Sequence, residues 1–215
     1  NVIDNCPANQ VVYLPAGTYK VTSPPNSETI LNMSSNVTLR GAGQGKTIIS
    51  FPGTYARSVI DIRGLANWDI YGLQRSYDIT GGMTKGSGQI TLSSTNAISV
   101  GDVLLIDQLN DPQLVDPVGS EGLCNYCGRA DGARARGQYA EVTAINGNTV
   151  TLNLPLYWTL SSSLSPQATL INASSLVRWA GVEDLTLTES QAAVEFMIEM
   201  DGAQYSWLKN IEIKR

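Results

Sequence analysis

Histidine is absent from all 215 residues. Its absence removes every Ser-His-Asp or Cys-His catalytic arrangement and every histidine-ligated zinc site that this chain could supply. Charge is also scarce, at 15% of residues, against roughly a quarter in ordinary soluble domains. The 14 basic residues are outnumbered by 19 acidic ones, for a net charge of −5. No long basic run occurs, so general nucleic-acid binding, which needs clustered Lys and Arg, is not expected. No apolar run approaches the roughly 18 residues needed to cross a membrane as a helix. A signal peptide is not visible, but the chain opens at Asn1 without Met, so missing targeting information says little.

What is present points to β structure. Hydrophobic residues make up 42%, enough for a packed core, and the length fits one large domain or one domain carrying an insertion. Gly (20 residues), Ser, Thr and Asn occupy the places that charge leaves open, as in turn-rich all-β chains. Gln10 to Val21 reads as strand, turn at Pro15-Ala-Gly17, strand. Further strands are expected at 36–40, 47–51 and 58–63, broken by Gly41-Ala-Gly-Gln-Gly45, Pro52-Gly53 and Gly64.

Four segments share a pattern: Asn36-Val-Thr-Leu-Arg40, Asn67-Trp-Asp-Ile-Tyr71, Asp184-Leu-Thr-Leu-Thr188 and Asn210-Ile-Glu-Ile-Lys214. Each opens on Asn or Asp and then alternates apolar with mostly polar residues. The first two lie about 31 residues apart and the last two about 26, inside the range of solenoid repeats. Alternation places Val37/Leu39, Trp68/Ile70, Leu185/Leu187 and Ile211/Ile213 on one face. Stacking buries that face, which no single coil can bury alone. Asn36, Asn67, Asp184 and Asn210 are then expected in one column. The middle gap of about 117 residues becomes one ordinary coil if roughly 90 residues are inserted. This gives coils over 1–77, an insertion over 78–172 and coils resumed over 173–215. The insertion carries short antiparallel strands near 89–92, 102–106, 138–145, 149–153 and 168–171, with a hairpin turn at Asn146-Gly-Asn148. A small barrel or sandwich is expected there, with a long connection over about 107–137 that is either a binding loop or disordered.

The runs VVYLPAGTYKV, SSNVTLRGAGQGKTII, WAGVEDLTL and WLKNIEI resemble the pectate lyase superfamily of right-handed parallel β-helices. The resemblance covers about 1–75 and 175–215. It implies a right-handed parallel β-helix carrying an inserted antiparallel β-module. It also implies a secreted, extracellular or periplasmic protein with a polysaccharide partner. The activity it implies is lyase or glycoside hydrolase chemistry on a linear polysaccharide, with a non-catalytic glycan-binding, adhesin or tailspike-like module as the alternative. A uronate lyase would use calcium held by carboxylates, with a Lys or Arg removing the C5 proton. Residues 2–6 resemble the tail of that fold's capping helix, and the strand reaching Lys214-Arg215 has no cap. The chain is therefore expected to be an N-terminal portion, with the main catalytic residues on later coils.

Candidate site residues follow from the alternation. Thr38, Asp69, Thr186 and Glu212 are expected in one external column, and Arg40, Tyr71, Thr188 and Lys214 in the next. Asp69 and Glu212, two coils apart, would lie on the order of 9.6 Å from each other, near the upper end for an inverting carboxylate pair. Arg40, Tyr71 and Lys214 would hold substrate, although an ordinary solvated face explains the same residues. Arg134 and Arg136, with Arg129, either bind uronate carboxylates or sit on a solvated loop. Cys124-Asn-Tyr-Cys127 is read as a loop disulfide, with free thiols as the alternative; with no histidine and only Cys6 left over, a zinc site lacks ligands. Gly41 to Thr47 fails the phosphate-loop spacing, because position 40 is Arg, and reads as a turn between coils. Tyr157, Trp158 and Trp179 are either sugar platforms or core.

Overall fold

The computed structural model describes residues 2–22, 29–53, 55–64, 75–114, 129, 132–171, 173–189 and 194–214. Asn67, Asp69 and Tyr71, like Cys124 and Cys127, lie outside the described residues. The described chain is all-β, with two single-turn 3₁₀ segments and no α-helix. It divides into two compact units, one of residues Asn1–Asn67 with Ser174–Arg215 and the other of Trp68–Ala173.

The first unit begins with β1 (Gln10–Tyr13), β2 (Gly17–Lys20), β3 (Thr29–Asn32), β4 (Val37–Arg40), β5 (Thr47–Phe51) and β6 (Ala56–Arg63). The second unit follows with β7 (Ser76–Gly81), β8 (Gln89–Leu92), β9 (Val103–Asp107), β10 (Gly137–Asn146), β11 (Thr149–Leu152) and β12 (Gln167–Ile171). The chain then returns to the first unit in β13 (Val177–Arg178), β14 (Gly181–Glu189), β15 (Val194–Asp201), β16 (Ala203–Gln204) and β17 (Trp207–Lys214).

All described pairings in the first unit are parallel. One sheet runs β1-β4-β14-β5-β2 with β17 on β14; a second runs β15-β6-β3; β13 pairs β16. β14 is the hub of the larger sheet, flanked by β4 and β5 on one side and by β17 on the other. Inward residues Val37, Leu39, Ile49, Phe51, Ile60, Ile62, Val182, Leu185 and Leu187 are at most 2% exposed and form one core. Ile3, in a turn rather than a helix, packs into the same core. The second unit is a closed barrel in the order β10-β11-β8-β7-β12-β9. Asn146 faces Thr149 across an antiparallel pair, so Gly147 and Asn148 make a two-residue turn.

The expected register needs one correction. Leu185 pairs with Ile211, so Asp184 and Asn210 do share a column, and Asn210 Nδ2 donates to Asp184 Oδ1 at 2.8 Å. Asn36 is not in that column. Thr38 lies opposite Gly181 and Arg40 opposite Glu183, whereas Ile48 lies opposite Thr186. The nine-residue β14 thus spans two short strands, β4 and β5, separated by the glycine-rich turn. A five-residue match cannot tell which half of the long strand it faces, and it chose the wrong half for Asn36. The turn itself packs tightly: a Cβ on Gly41 would lie 2.3 Å from the Asp184 carbonyl oxygen. Its amides are used internally, Gly41 N–H to Glu183 O, Gly43 N–H to Asp184 O, Ala42 N–H to Thr47 Oγ1 and Gly45 N–H to Thr186 Oγ1. None of these amides remains to cradle a phosphate, which agrees with the turn reading.

Candidate functional site: an aromatic ledge on stacked strands

The corrected register creates a column that alternation did not show. Extending the pairs Gln10–Val37, Thr38–Gly181 and Gly181–Trp207 by one or two residues sets Asn9, Asn36, Trp179 and Tyr205 level on four successive courses. Backbone bonds hold the column, with Asn9 N–H on Asn36 O at 2.7 Å and Asn36 N–H on Arg178 O at 2.8 Å. All four residues are left-handed, with φ of 65°, 61°, 58° and 56° in that order. Asn tolerates this conformation because its short side chain bonds locally, but a bulky aromatic is strained there by about 1–2 kcal/mol. Strain of that kind persists where the surroundings impose it, and it collects at functional sites.

The two aromatics are stacked, ring centroids 4.7 Å apart and planes 23° from parallel, while 51% of Trp179 and 44% of Tyr205 stay exposed. One face of Trp179 rests on Tyr205. Its other side borders an open groove of 460 Å³ lined by Asn9, Gln10, Val11, Asn36, Thr38, Trp179 and Trp207. Trp207 enters the groove because Gly181, its neighbour on the adjacent strand, has no side chain: a Cβ there would lie 2.4 Å from the indole. The indole Nε1–H donates to Glu183 Oε1 at 2.8 Å. The other oxygen of Glu183 accepts from Arg40 Nε at 2.6 Å. Burial of Glu183 works to raise its pKa, but the Trp207 and Arg40 hydrogen bonds outweigh it and hold the carboxyl below the usual range.

The other expected residues can be placed individually. Arg40 lies level with Glu183 and Lys209 rather than with Thr188 and Lys214. Glu212 and Lys214 sit on the outer face of β17, paired at 3.0 Å, and Thr186 Oγ1 donates to Glu212 at 2.8 Å. The Thr186 hydrogen bond, then that from Lys214, holds the Glu212 carboxyl below its usual value, so it is a poor proton donor near neutrality. Arg134 is 7% exposed and bonded inside the barrel, to Asp107 Oδ1 at 2.8 Å and Ser165 O at 2.8 Å. Arg136 lies 4.4 Å over the ring of Trp158. The sequence reading missed Tyr205, Trp207, Asn9 and Gln10. A signal was there, since Trp179 and Tyr205 repeat at the same interval as Asp184 and Asn210.

A second group of ionisable side chains lies on β6 and β15. Asp61 is 2% exposed, is paired with Arg63 at 2.9 Å and lies level with Glu199. Arg57 holds Glu199 through two bonds of 3.0 and 2.5 Å. Burial is the main cause that pushes the carboxyls of Asp61 and Asp201 up. Among the described residues no three Asp, Glu or Cys side chains converge so as to hold a metal ion. In this group Arg63 takes one oxygen of Asp61 and Arg57 takes both oxygens of Glu199, so calcium would have to displace these cations.

No protein-family model matches the chain, and no curated protein does. Among solved structures, the tailspike gp61 of Pseudomonas phage phi297 is similar at a TM-score of 0.56 and 14% identity, over 95% of this chain and 29% of the tailspike. The tailspike gp49 of Pseudomonas phage LKA1 is similar at 0.51 and 21% identity, over 90% of this chain and 31% of that one. A third, the Gp54 tailspike of Acinetobacter baumannii bacteriophage AP22, solved with A. baumannii capsular saccharide, reaches 0.43 at 13% identity, over 95% and 31%. That last likeness is too distant to bear on fold or function. The first two show a fold shared with phage tailspikes, of which this chain spans a little under a third of the length.

Proposed function

We propose that the chain supplies glycan-binding coils of a right-handed parallel β-helix of the pectate lyase type, with a barrel over about 78–172 inserted between two courses. The protein it belongs to works outside the cell, on a polysaccharide. The observation that carries this reading is the exposed, strained Trp179–Tyr205 stack walling a groove of amide and hydroxyl side chains. Flat aromatic faces pack on the C–H face of pyranoses, and fixed amides sort hydroxyl positions. The tailspike likeness in fold supports the reading without deciding it.

Binding is favoured over catalysis at this ledge, because no carboxyl with a raised pKa lines the groove. Lyase or hydrolase chemistry in the same protein is the second reading; the raised carboxyl of the partly exposed Asp201 favours it, whereas Asp61 is buried out of reach of a polysaccharide. Titration calorimetry of the protein against a polysaccharide and oligosaccharide panel tests the proposal. Trp179→Ala with Tyr205→Ala should weaken the best ligand at least tenfold, and unchanged affinity would discard the ledge. Turnover by the wild-type protein that disappears in Asp201→Asn would establish the second reading.

A further inference from the structure

We infer that the ledge selects uncharged pyranose residues and discriminates against uronates. The inference rests on the reading of the groove as a glycan site and names the class of sugar that site accepts. The resemblance left a uronate-containing chain open as one case; the groove residues point elsewhere.

The first ground is charge. Of the residues lining the groove (Asn9, Gln10, Val11, Asn36, Thr38, Trp179 and Trp207) none carries a formal charge. A uronate carboxylate is best held by a free guanidinium in a two-bond fork. One neighbouring guanidinium, Arg40, is committed to Glu183 at 2.6 Å, and Arg178, beside Trp179, and Lys209, level with Glu183, are not among the lining residues. Glu183 is itself 5% exposed and bonded to the indole of Trp207, a wall of the groove. A carboxylate-bearing sugar would thus find no cation in the lining, and the adjacent Arg40 is already engaged in neutralising Glu183. The chain's net charge of −5 opposes it further.

The second ground is shape. Tyr205 backs one face of Trp179, so the other face meets the Asn36 and Asn9 courses. Strand spacing puts Asn9 on the order of 9.6 Å from Trp179 along the stack, which leaves room for a sugar on the open face of the indole. A pyranose packed on the Trp179 face would set its equatorial hydroxyls over the Asn36 and Thr38 side chains. Asn9 and Gln10 line the groove beyond them. Amides donate and accept alike, which matches hydroxyl or acetamido groups rather than carboxylates.

The backbone gives a third and independent ground. Two courses fill the left-handed position with Asn, and two fill it with Trp and Tyr. An asparagine at 179 would satisfy the backbone equally well, so the aromatic is explained by what it presents rather than by folding.

The test is calorimetric titration of neutral oligosaccharides (gluco-, galacto-, manno- and N-acetylated series) and length-matched galacturonate and glucuronate oligomers. Trp179→Asn serves as the variant that keeps the fold, checked by its melting curve, and Trp179→Phe as the conservative one. A neutral oligomer should bind at least tenfold tighter than any uronate, with an affinity that changes less than twofold between 50 and 500 mM salt. Trp179→Asn should abolish that preference and Trp179→Phe should restore most of it. Tighter, salt-sensitive uronate binding that still depends on Trp179 would overturn the inference and leave the groove standing as a glycan site. Binding indifferent to Trp179, or no binding across the panel, would overturn the groove and the inference together.

Discussion

Replacing Asp107 by alanine should destabilise the barrel more than any other single charge removal in it. The carboxylate is 0% exposed. It accepts from Arg129 Nε at 2.8 Å, Arg129 Nη2 at 2.9 Å and Arg134 Nη1 at 2.8 Å. The two arginine side chains are only 12% and 7% exposed. Removing the shared acceptor leaves two guanidinium charges in a place that water scarcely reaches, a change that costs about 3–5 kcal/mol. In a unit of this size 1 kcal/mol moves the midpoint by about 4–8 °C, so a fall of at least about 12 °C is expected in the barrel transition. Scanning calorimetry of the whole chain reads it directly. The triple change Asp107→Leu, Arg129→Met, Arg134→Leu should recover a large part, because apolar replacement of a buried ion group is often neutral. Recovery should be incomplete, since Arg129 also serves Ser76 and Gln167 and Arg134 serves Ser165. A single Asp107→Ala shift below about 3 °C would refute the reasoning, because it would mean that solvent already screens the pair.

Two further outcomes are expected. Gly181→Ala should push the Trp207 indole off Glu183, seen as a red-shifted tryptophan emission and weaker glycan binding; an unchanged spectrum would show that the strand itself gives way instead. For Asp61 the fold favours the protonated form, so its contribution is fully present below the ordinary aspartate range and is lost as pH rises through the elevated folded value. Asp201 acts in the same direction, whereas the lowered Glu183 contributes above the ordinary glutamate range and loses that contribution as pH falls. Urea midpoints followed upward from about pH 4, the ordinary carboxylate region, should therefore decline less steeply in Asp61→Asn than in the wild type, and parallel curves would refute the assignment.

Five of the six barrel strands were legible because short alternating runs with turn residues between them leave few other solutions; β7 (Ser76–Gly81), at the edge of the expected insertion, was not among them. The hairpin at Gly147-Asn148 follows from a turn sequence whose backbone demands are specific. The 26-residue interval was legible too, but only where two long strands face each other, as β14 and β17 do. It failed at Asn36 because the facing course is split by the glycine-rich turn, and periodicity carries no information about a split. The ledge was hidden for a related reason. Its four members are neither in strands nor alike in chemistry, and what they share is a backbone angle. Arg134 illustrates the limit for charge: a run of arginines reads the same whether it faces a ligand or, as here, a buried aspartate 27 positions away.

Leu39 and Val182 are neighbours across a strand pair although about 143 positions separate them. Between β6 and β13 the chain makes the whole barrel, yet the barrel brings its own ends together, since Leu170 N–H bonds the Arg75 carbonyl at 2.9 Å. If the barrel forms first, the loop that must close before β14 can dock shrinks from about 114 residues to about 18, saving about 1.5 kcal/mol of closure entropy. The inserted unit then acts as a kinetic splint. A barrel-destabilising change such as Asp107→Ala would slow the pairing of strands that it never touches, while a course lacking any insertion would gain nothing from the same repair.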